Sequence, residues 1–99
     1  MVKIAKHSLN RLLNKPDAEL DLHGLTKREA EPELDSFLLK AEQLSWQTVR
    51  IIVGKGWNSP DNKAVLKDFV KDKLAKYNYT YKNAKMNEGG EGVLIVSLY

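Results

Sequence analysis

Apolar and polar positions along the 99-residue chain change period several times, and each change marks an element. Glu19 to Leu22 alternates, which predicts a short strand with Leu20 and Leu22 on one face and Asp21 and His23 on the other. Thr48 to Val53 concentrates Val49, Ile51, Ile52 and Val53, a run too short for a helix and apolar enough for a strand covered on both faces. Tyr79 to Lys82 reads as a third strand by β propensity, and Val93 to Leu98 as a fourth beyond the glycine-rich stretch 88–92. Between the first two strands Ala30, Leu34, Phe37, Leu38 and Ala41 recur at helical spacing, preceded by the capping box Thr26-Lys27-Arg28-Glu29. That helix runs to about Leu44, and Pro32 inside it costs a hydrogen bond and bends the first turns. A second helix starts at Pro60, with Ser59 as its cap, and runs to about Tyr77 with Leu66, Phe69, Val70, Leu74 and Tyr77 as its core stripe. Ahead of all these, Met1 to Lys15 carries Ala5, Leu9, Leu12 and Leu13 at helical spacing and reads as an arm or short amphipathic helix, ended by Pro16.

The order β-α-β-α-β-β predicts an α/β fold, a two-layer sandwich in which a four-stranded mixed sheet carries two helices on one face. Short loops and right-handed crossovers put successive helices on the same side of the sheet. The loops after the first two strands then open at one end, where ligand sites of open α/β sheets lie, and His23 and Lys55 meet there. The length supports one domain, with residues 1–17 as an N-terminal arm and 18–99 as the folded unit.

Composition narrows the chemistry. A chain of this size buries only about two-thirds of its unfolded surface, so a deep cofactor cavity is not expected. With no cysteine there are no disulfides, thiolate metal sites or thiol nucleophiles, and two histidines do not close a zinc site unaided. No apolar run approaches the length of a membrane span, and the opening residues lack the apolar centre of a secretory signal, which predicts a cytoplasmic protein. Sixteen basic and thirteen acidic residues leave a net charge of +3. Residues 60 to 88 supply that excess, with seven basic residues against four acidic. Lys63, Lys67 and Lys71 fall four apart there, along one side of the second helix, interrupted by Asp68 and Asp72. Such a row is either an ordinary solvated face or a stripe that tracks phosphates.

Asp21 and His23 are the residues placed for chemistry. A carboxylate that accepts from one ring nitrogen fixes the tautomer and supports protonation of the other, which suits a histidine that moves a proton near neutral pH. The same spacing also serves a turn carboxylate beside a structural histidine. Gly54-Lys55-Gly56 follows a buried strand and can turn backbone amides toward an anion while Lys55 adds a full charge, although a plain tight turn accounts for it equally. It lacks the spacing of a nucleotide-binding P-loop. Trp57 beside it is placed to stack on a base or to anchor the loop, whereas Trp46 packs at a helix end. Gly89-Gly90-Glu91-Gly92 is a hairpin turn or a surface that a polymer can approach closely.

Taken together, Leu20-Asp21-Leu22-His23-Gly24-Leu25-Thr26, then Val49-Arg50-Ile51-Ile52-Val53-Gly54-Lys55-Gly56, then Gly89-Gly90-Glu91-Gly92-Val93-Leu94-Ile95-Val96-Ser97-Leu98 closely resemble the small MutS-related (Smr) domain, over about residues 18 to 99. Ser59-Pro60-Asp61 with Ala64-Val65-Leu66-Lys67 resembles its free-standing bacterial branch. The resemblance implies a fold like the C-terminal domain of bacterial translation initiation factor three. It also implies endonuclease work on DNA or RNA, in some members at stalled or collided ribosomes. It makes Asp21 and His23 the catalytic pair and Gly54 to Gly56 the phosphate-side loop. One position departs: the second motif commonly begins with histidine, and here Val53 stands in its place.

Two functions follow as expectations. The first is an endonuclease on RNA or on structured or branched DNA, with His23 as general base or acid, Asp21 orienting it, and Lys55 stabilising charge on the transferred phosphate. RNA needs no metal if its own 2′-hydroxyl attacks; DNA hydrolysis needs an activated water, most simply on a divalent cation such as magnesium or manganese, with Glu91 as a second carboxylate. The second is a non-catalytic module that docks on nucleic acid or the ribosome through Lys63, Lys67, Lys71 and the glycine loops with Trp57, Gly90 and Gly92. Asp21 and His23 favour the enzyme; Val53 favours the binder.

Overall fold

The computed structural model describes residues 2–4, 16–54, 60–84 and 92–98. Its elements are β1 (Val2–Ile4), β2 (Ala18–Asp21), α1 (Lys27–Gln43), β3 (Thr48–Ile52), α2 (Pro60–Lys76), β4 (Thr80–Asn83) and β5 (Val93–Ser97). They form one mixed sheet in the order β1-β2-β3-β5-β4. Strands β2 and β3 are parallel, and β5 runs antiparallel to both β3 and β4. The four strands and two helices expected from the apolar pattern are therefore present.

A fifth strand is added where the sequence reading placed an arm or short helix. Val2–Ile4 pairs antiparallel with β2, Val2 opposite Leu20 and Ile4 opposite Ala18. The physical reason is a partner distant in the chain: β2 offers an unpaired edge, and the β-branched Val2 and Ile4 on either side of a lysine suit a strand that takes it. The helically spaced leucines that follow lie outside the described residues.

Pairing register sorts the strand residues onto two faces. Ala18, Val49 and Val96 form one row and Leu20, Ile51 and Leu94 the next, all buried. Onto these rows pack Ala30, Leu34, Phe37, Leu38 and Ala41 of α1 and Leu66, Val70 and Leu74 of α2, in a single core. Burying each leucine there contributes about 1.5–3 kcal/mol. The opposite face carries Glu19 and Arg50, which form an ion pair in register, together with Asp21 and Ile52. Central strand β3 is thus covered by helices on one face, not on both: Arg50 and Ile52 are half-buried, and an arginine paired with a glutamate does not need an apolar cover. Tyr77 also departs from its expected place in the core stripe. It is exposed just beyond α2, where its hydroxyl donates to Asp35 at 3.4 Å and its ring stacks on Tyr79. Phe69 is half-buried against the core.

Local signals set the helix ends. Thr26 caps α1 as expected, its Oγ1 accepting from the Glu29 amide at 3.2 Å while the Glu29 carboxylate accepts from the Thr26 amide at 3.0 Å. The helix continues unbroken past Pro32 to Gln43. Both helices finish with the same paired bonds. Trp46 N–H reaches the Ala41 carbonyl and Ser45 N–H that of Glu42; Tyr79 N–H reaches Leu74 and Asn78 N–H reaches Ala75. In each case the residue at the bend is left-handed without being glycine, with φ 57° at Ser45 and φ 62° at Asn78. Trp46 is consequently drawn into the core, tilted against Phe37 at 5.4 Å between ring centroids.

Asp17 fixes how the two parallel strands begin. Its buried carboxylate accepts from the amides of Gln47 at 2.7 Å and Thr48 at 3.3 Å, and its own amide donates to the Thr48 carbonyl at 2.8 Å. Because a left-handed φ disfavours residues with a Cβ, Ser45→Gly and Asn78→Gly should each stabilise the protein, by about 0.5–1 kcal/mol. Chemical denaturation of the two variants measures this, and an increase in stability is the expected result.

Candidate active site

Five residues take the chain from β2 into α1. The Leu22 amide continues the parallel ladder, donating to the Ile52 carbonyl at 2.8 Å, and the Leu25 amide turns back to the Leu22 carbonyl at 3.1 Å. Gly24 holds the third position of that turn at φ +80°. A Cβ at Gly24 would meet nothing within 4 Å, so the backbone angle alone calls for glycine there. Thr26 then starts the helix. Residue 23 is thereby held at the carboxyl end of a central strand, clear of the core, between the strand ladder and a capped helix.

Asp21 and His23 come together as the alternation predicts. Asp21 Oδ1 accepts from the His23 amide at 3.1 Å and is hydrogen-bonded to His23 Nδ1. The imidazole is 64% exposed and the carboxylate 32%, so a large ligand can reach the pair. Partial burial pushes the Asp21 carboxyl up; the hydrogen bonds from the His23 ring and backbone, with the ring's charge, outweigh it and hold the carboxyl below its ordinary range. With Nδ1 donating to Asp21, Nε2 carries the lone pair in the neutral ring and makes no hydrogen bond to the described residues. That is the arrangement of a proton acceptor aimed outward.

The second motif closes beside this pair. Register pairs Asp21 with Ile52 as the last residues of their strands, so Gly54, two residues beyond β3, leaves the sheet at the same end as His23. Gly54 has φ +85°, which explains the glycine. Its amide, however, donates to the Gly92 carbonyl at 3.0 Å, alongside the Val53 amide at 2.8 Å. The Gly54 N–H is therefore used by the fold and is not turned toward an anion. Buried Gly92 belongs to the site as the link that ties the third motif to the second. Lys55, Gly56, Trp57 and Gly90 lie outside the described residues, as does Glu91. Among the described residues, no three histidine, aspartate or glutamate side chains gather where they could hold a metal ion.

Val53 is fully buried. It continues the row of Val49 and Ile51 on the helix-covered face, whereas Asp21 shares the opposite face with Ile52. A side chain at position 53 points into the core, away from the Asp21–His23 pair.

The lysine row lies elsewhere. Lys63 stands in the first turns of α2, and Lys67 and Lys71 are half-buried further along, on the flank away from α1. Lys71 Nζ lies 6.0 Å from the centre of the Tyr81 ring on β4. Tyr81 is level with Ala18 and three strands across from β2, so this part of the row is about 17 Å from Asp21 by strand geometry. The opposite flank of α2 is used inside the protein, where Lys73 pairs with Asp35 at 2.9 Å and Glu31 at 3.3 Å.

Comparison with known proteins agrees with this frame. Residues 20–99 match the Smr domain family. The chain is 32% identical over 95 residues to Endonuclease MutS2 of Lactococcus lactis subsp. cremoris (strain MG1363), covering 94% of this chain and 12% of that protein. It is 37% identical over 90 residues to Endonuclease MutS2 of Thermus thermophilus, covering 88% of this chain and 12% of that one. The crystal structure of the Smr domain of Thermus thermophilus MutS2 superposes with a TM-score of 0.70 at 34% identity, covering 82% of this chain and 96% of that domain. YdaL, a stand-alone small MutS-related protein from Escherichia coli, shares the fold with a TM-score of 0.76 at 23% identity, covering 98% of this chain and 81% of that one. The chain belongs to the Smr domain family.

Two outcomes follow. The carboxyl of Asp21 binds its proton less readily in the folded protein than in the unfolded one, so its contribution to stability is present above the ordinary aspartate pKa near 3.9 and is lost as pH falls through the lower folded value. Denaturation of wild type and Asp21→Asn should show a stability difference at pH 7 that shrinks toward pH 3. Val53→His should bury a polar ring in a filled core and cost about 1–3 kcal/mol or more, read as a lowered thermal midpoint, with no imidazole presented to His23.

Proposed function

We propose that this chain is a phosphodiester-cleaving endonuclease acting on RNA or on structured or branched DNA, with His23 as its proton carrier. The observation that carries this reading is the exposed Asp21–His23 pair at the carboxyl end of β2, with the ring held through Nδ1 and Nε2 directed outward. On RNA, Nε2 accepts the proton of the 2′-hydroxyl as that oxygen attacks phosphorus; the bond to the 5′-oxygen breaks, that oxygen takes a proton from solvent water, and a 2′,3′-cyclic phosphate and a 5′-hydroxyl are left. Asp21 keeps the ring in the accepting tautomer and stabilises the imidazolium that forms. Lys55, directly after Gly54, is the charge assigned to the phosphate oxygens. A divalent cation such as magnesium or manganese would be needed to activate water for DNA hydrolysis. Asp21 could supply one ligand to it, and Glu91 is the second carboxylate proposed.

Family membership supports the nucleic-acid side of this reading, and relatives bear the name endonuclease. The chain corresponds to 10% to 12% of the MutS2 proteins it matches, so their activity as whole proteins is carried here as part of the proposal. A second reading, a nucleic-acid- or ribosome-binding module without turnover, is favoured by Val53: its inward side chain leaves the leaving oxygen without a second imidazole.

The test is cleavage of labelled single-stranded RNA, duplex DNA and branched DNA by wild type and His23→Ala, with magnesium, manganese or a chelator. Wild type should cut at least one substrate. His23→Ala should lose about 100- to 10,000-fold in rate, the range for a general acid-base group, while binding stays nearly unchanged, since a neutral imidazole adds little phosphate affinity. Cleavage by His23→Ala at the wild-type rate overturns the mechanism. Binding with no cleavage by wild type establishes the second reading instead.

A further inference from the structure

Asp35, Leu38, Leu39 and Glu42 recur at helical spacing and so share one side of α1. Leu38 is buried in the core, whereas Leu39 beside it is 56% exposed. Across from them, beyond the end of α2, the rings of Tyr77 and Tyr79 stack with 5.9 Å between centroids. These six residues line a groove. A second cavity shares Glu42, Tyr77 and Tyr79 with it and adds Ala41, Trp46 and Leu98 to its walls.

One end of the groove is already committed within the fold. Asp35 Oδ1 accepts from Lys73 at 2.9 Å and from the Tyr77 hydroxyl at 3.4 Å, and the Lys73 ammonium lies 6.0 Å from the centre of the Tyr77 ring. Tyr77 is therefore a wall and not a seat for a further cation. Two other groups are uncommitted. The Glu42 carboxylate, common to both cavities, makes no hydrogen bond or ion pair with the described residues. Trp46 is fully buried, and its indole N–H has no acceptor among the described residues, a condition that native folds rarely leave standing. An occupant that suits this surface brings an apolar side chain, a cation and a carbonyl oxygen together. A phosphate polymer is the wrong chemistry, because Asp35 and Glu42 repel it. A peptide segment with leucines next to an arginine has all three: every residue supplies a backbone carbonyl, and the planar guanidinium matches a carboxylate.

We infer that this groove docks a basic, leucine-bearing segment of a partner protein: the leucines pack on Leu39 and the Tyr77–Tyr79 wall, an arginine pairs with Glu42, and a backbone carbonyl accepts from Trp46 Nε1. The groove lies at the end of the sheet away from the candidate active site. Trp46 precedes β3, Tyr79 precedes β4 and Leu98 follows β5, and register brings those three strand ends together. Asp21 and Ile52 close β2 and β3 at the other end, and β3 alone spans about 13 Å between the two. A partner seated in the groove leaves the Asp21–His23 pair open, so the inference stands independently of the nucleic-acid reading above.

The experiment follows the Trp46 indole N–H resonance of the full isotope-labelled chain by NMR, with Trp57→Phe identifying which of the two tryptophan peaks it is. The probe is the peptide acetyl-Gly-Ser-Leu-Leu-Arg-Ser-Gly-amide, titrated to millimolar concentration. Two control peptides replace its Arg by Glu or its Leu-Leu by Ser-Ser. The probe should shift the Trp46 indole peak saturably. The Ser-Ser peptide should bind at least about tenfold more weakly, the loss expected for leucine burial, and the Glu peptide more weakly than the probe. Glu42→Gln should weaken the probe about twofold to fivefold at low salt, the range for an exposed ion pair. Leu39→Lys sets a cation on the exposed wall. It should weaken the probe at least about tenfold while keeping the wild-type thermal midpoint and the wild-type behaviour toward nucleic acid. Lys40→Ala, next to Leu39 but turned away from the groove, should bind the probe like wild type. Absence of a saturable shift at the Trp46 indole overturns the inference. Equal binding of the three peptides, or wild-type affinity in Leu39→Lys or in Glu42→Gln, overturns it as well. Cleavage assays on the same proteins bear only on the proposed endonuclease, so either reading can fail without the other.

Discussion

The parallel pairing of β2 with β3 is the contact on which the rest of this domain depends. It pairs residues 31 apart in the chain, and the buried Asp17 carboxylate fixes its start by accepting from the amides of Gln47 and Thr48. Once that register is set, strand alternation leaves little freedom. Leu20 and Leu22 must enter the core beside Val49, Ile51 and Val53, and Asp21 and His23 must stand outside it. A slip by one residue would bury the aspartate and histidine and expose the leucines. The core and the candidate site are thus held by the same geometric choice, the site being the polar half of a strand whose apolar half closes the fold.

The carboxyl ends of those two strands are joined by backbone rather than by side chains. Gly92 accepts from both Val53 and Gly54, so the glycine-rich approach to β5 is stitched to the end of β3 beside His23. This gives Gly54 and Gly92 a structural duty alongside any role with phosphate, and it assigns the Gly54 amide to the first. In the proposed chemistry Lys55 is the side chain assigned to the phosphate charge.

Charge on α2 is divided by direction. Lys73 faces α1 and is consumed by Asp35 and Glu31, whose carboxylates hold its ammonium more firmly protonated than usual, with hydrogen bonding to Asp35 the chief cause. Lys71 faces the other way, over the Tyr81 ring at the margin of the sheet. A net charge of +3 would say little about partners by itself; the fold sets Lys73 against two carboxylates on one flank of α2 and Lys71 over the Tyr81 ring on the other.

Much of this was legible in the chain alone, because it depends on short-range periodicity. The α1 core residues Ala30, Leu34, Phe37, Leu38 and Ala41, the Thr26–Glu29 box and the shared face of Asp21 and His23 follow from helical spacing, local capping and strand alternation, which need no distant partner. What depended on distant partners was not legible. Val2–Ile4 is a strand because β2 leaves it an edge to pair with, and Arg50 can sit in a central strand because Glu19 is opposite it in register. Tyr77 leaves the core because α2 ends at Lys76 and Asp35 is there to receive its hydroxyl. The sequence showed that Val53 replaces a usual histidine; only tertiary structure decided that its side chain lies in the core, since facing is set by the parallel register and not by the residue's position in a motif. The same holds for Tyr81, a β-former like any other until β5 and α2 placed it beside Lys71.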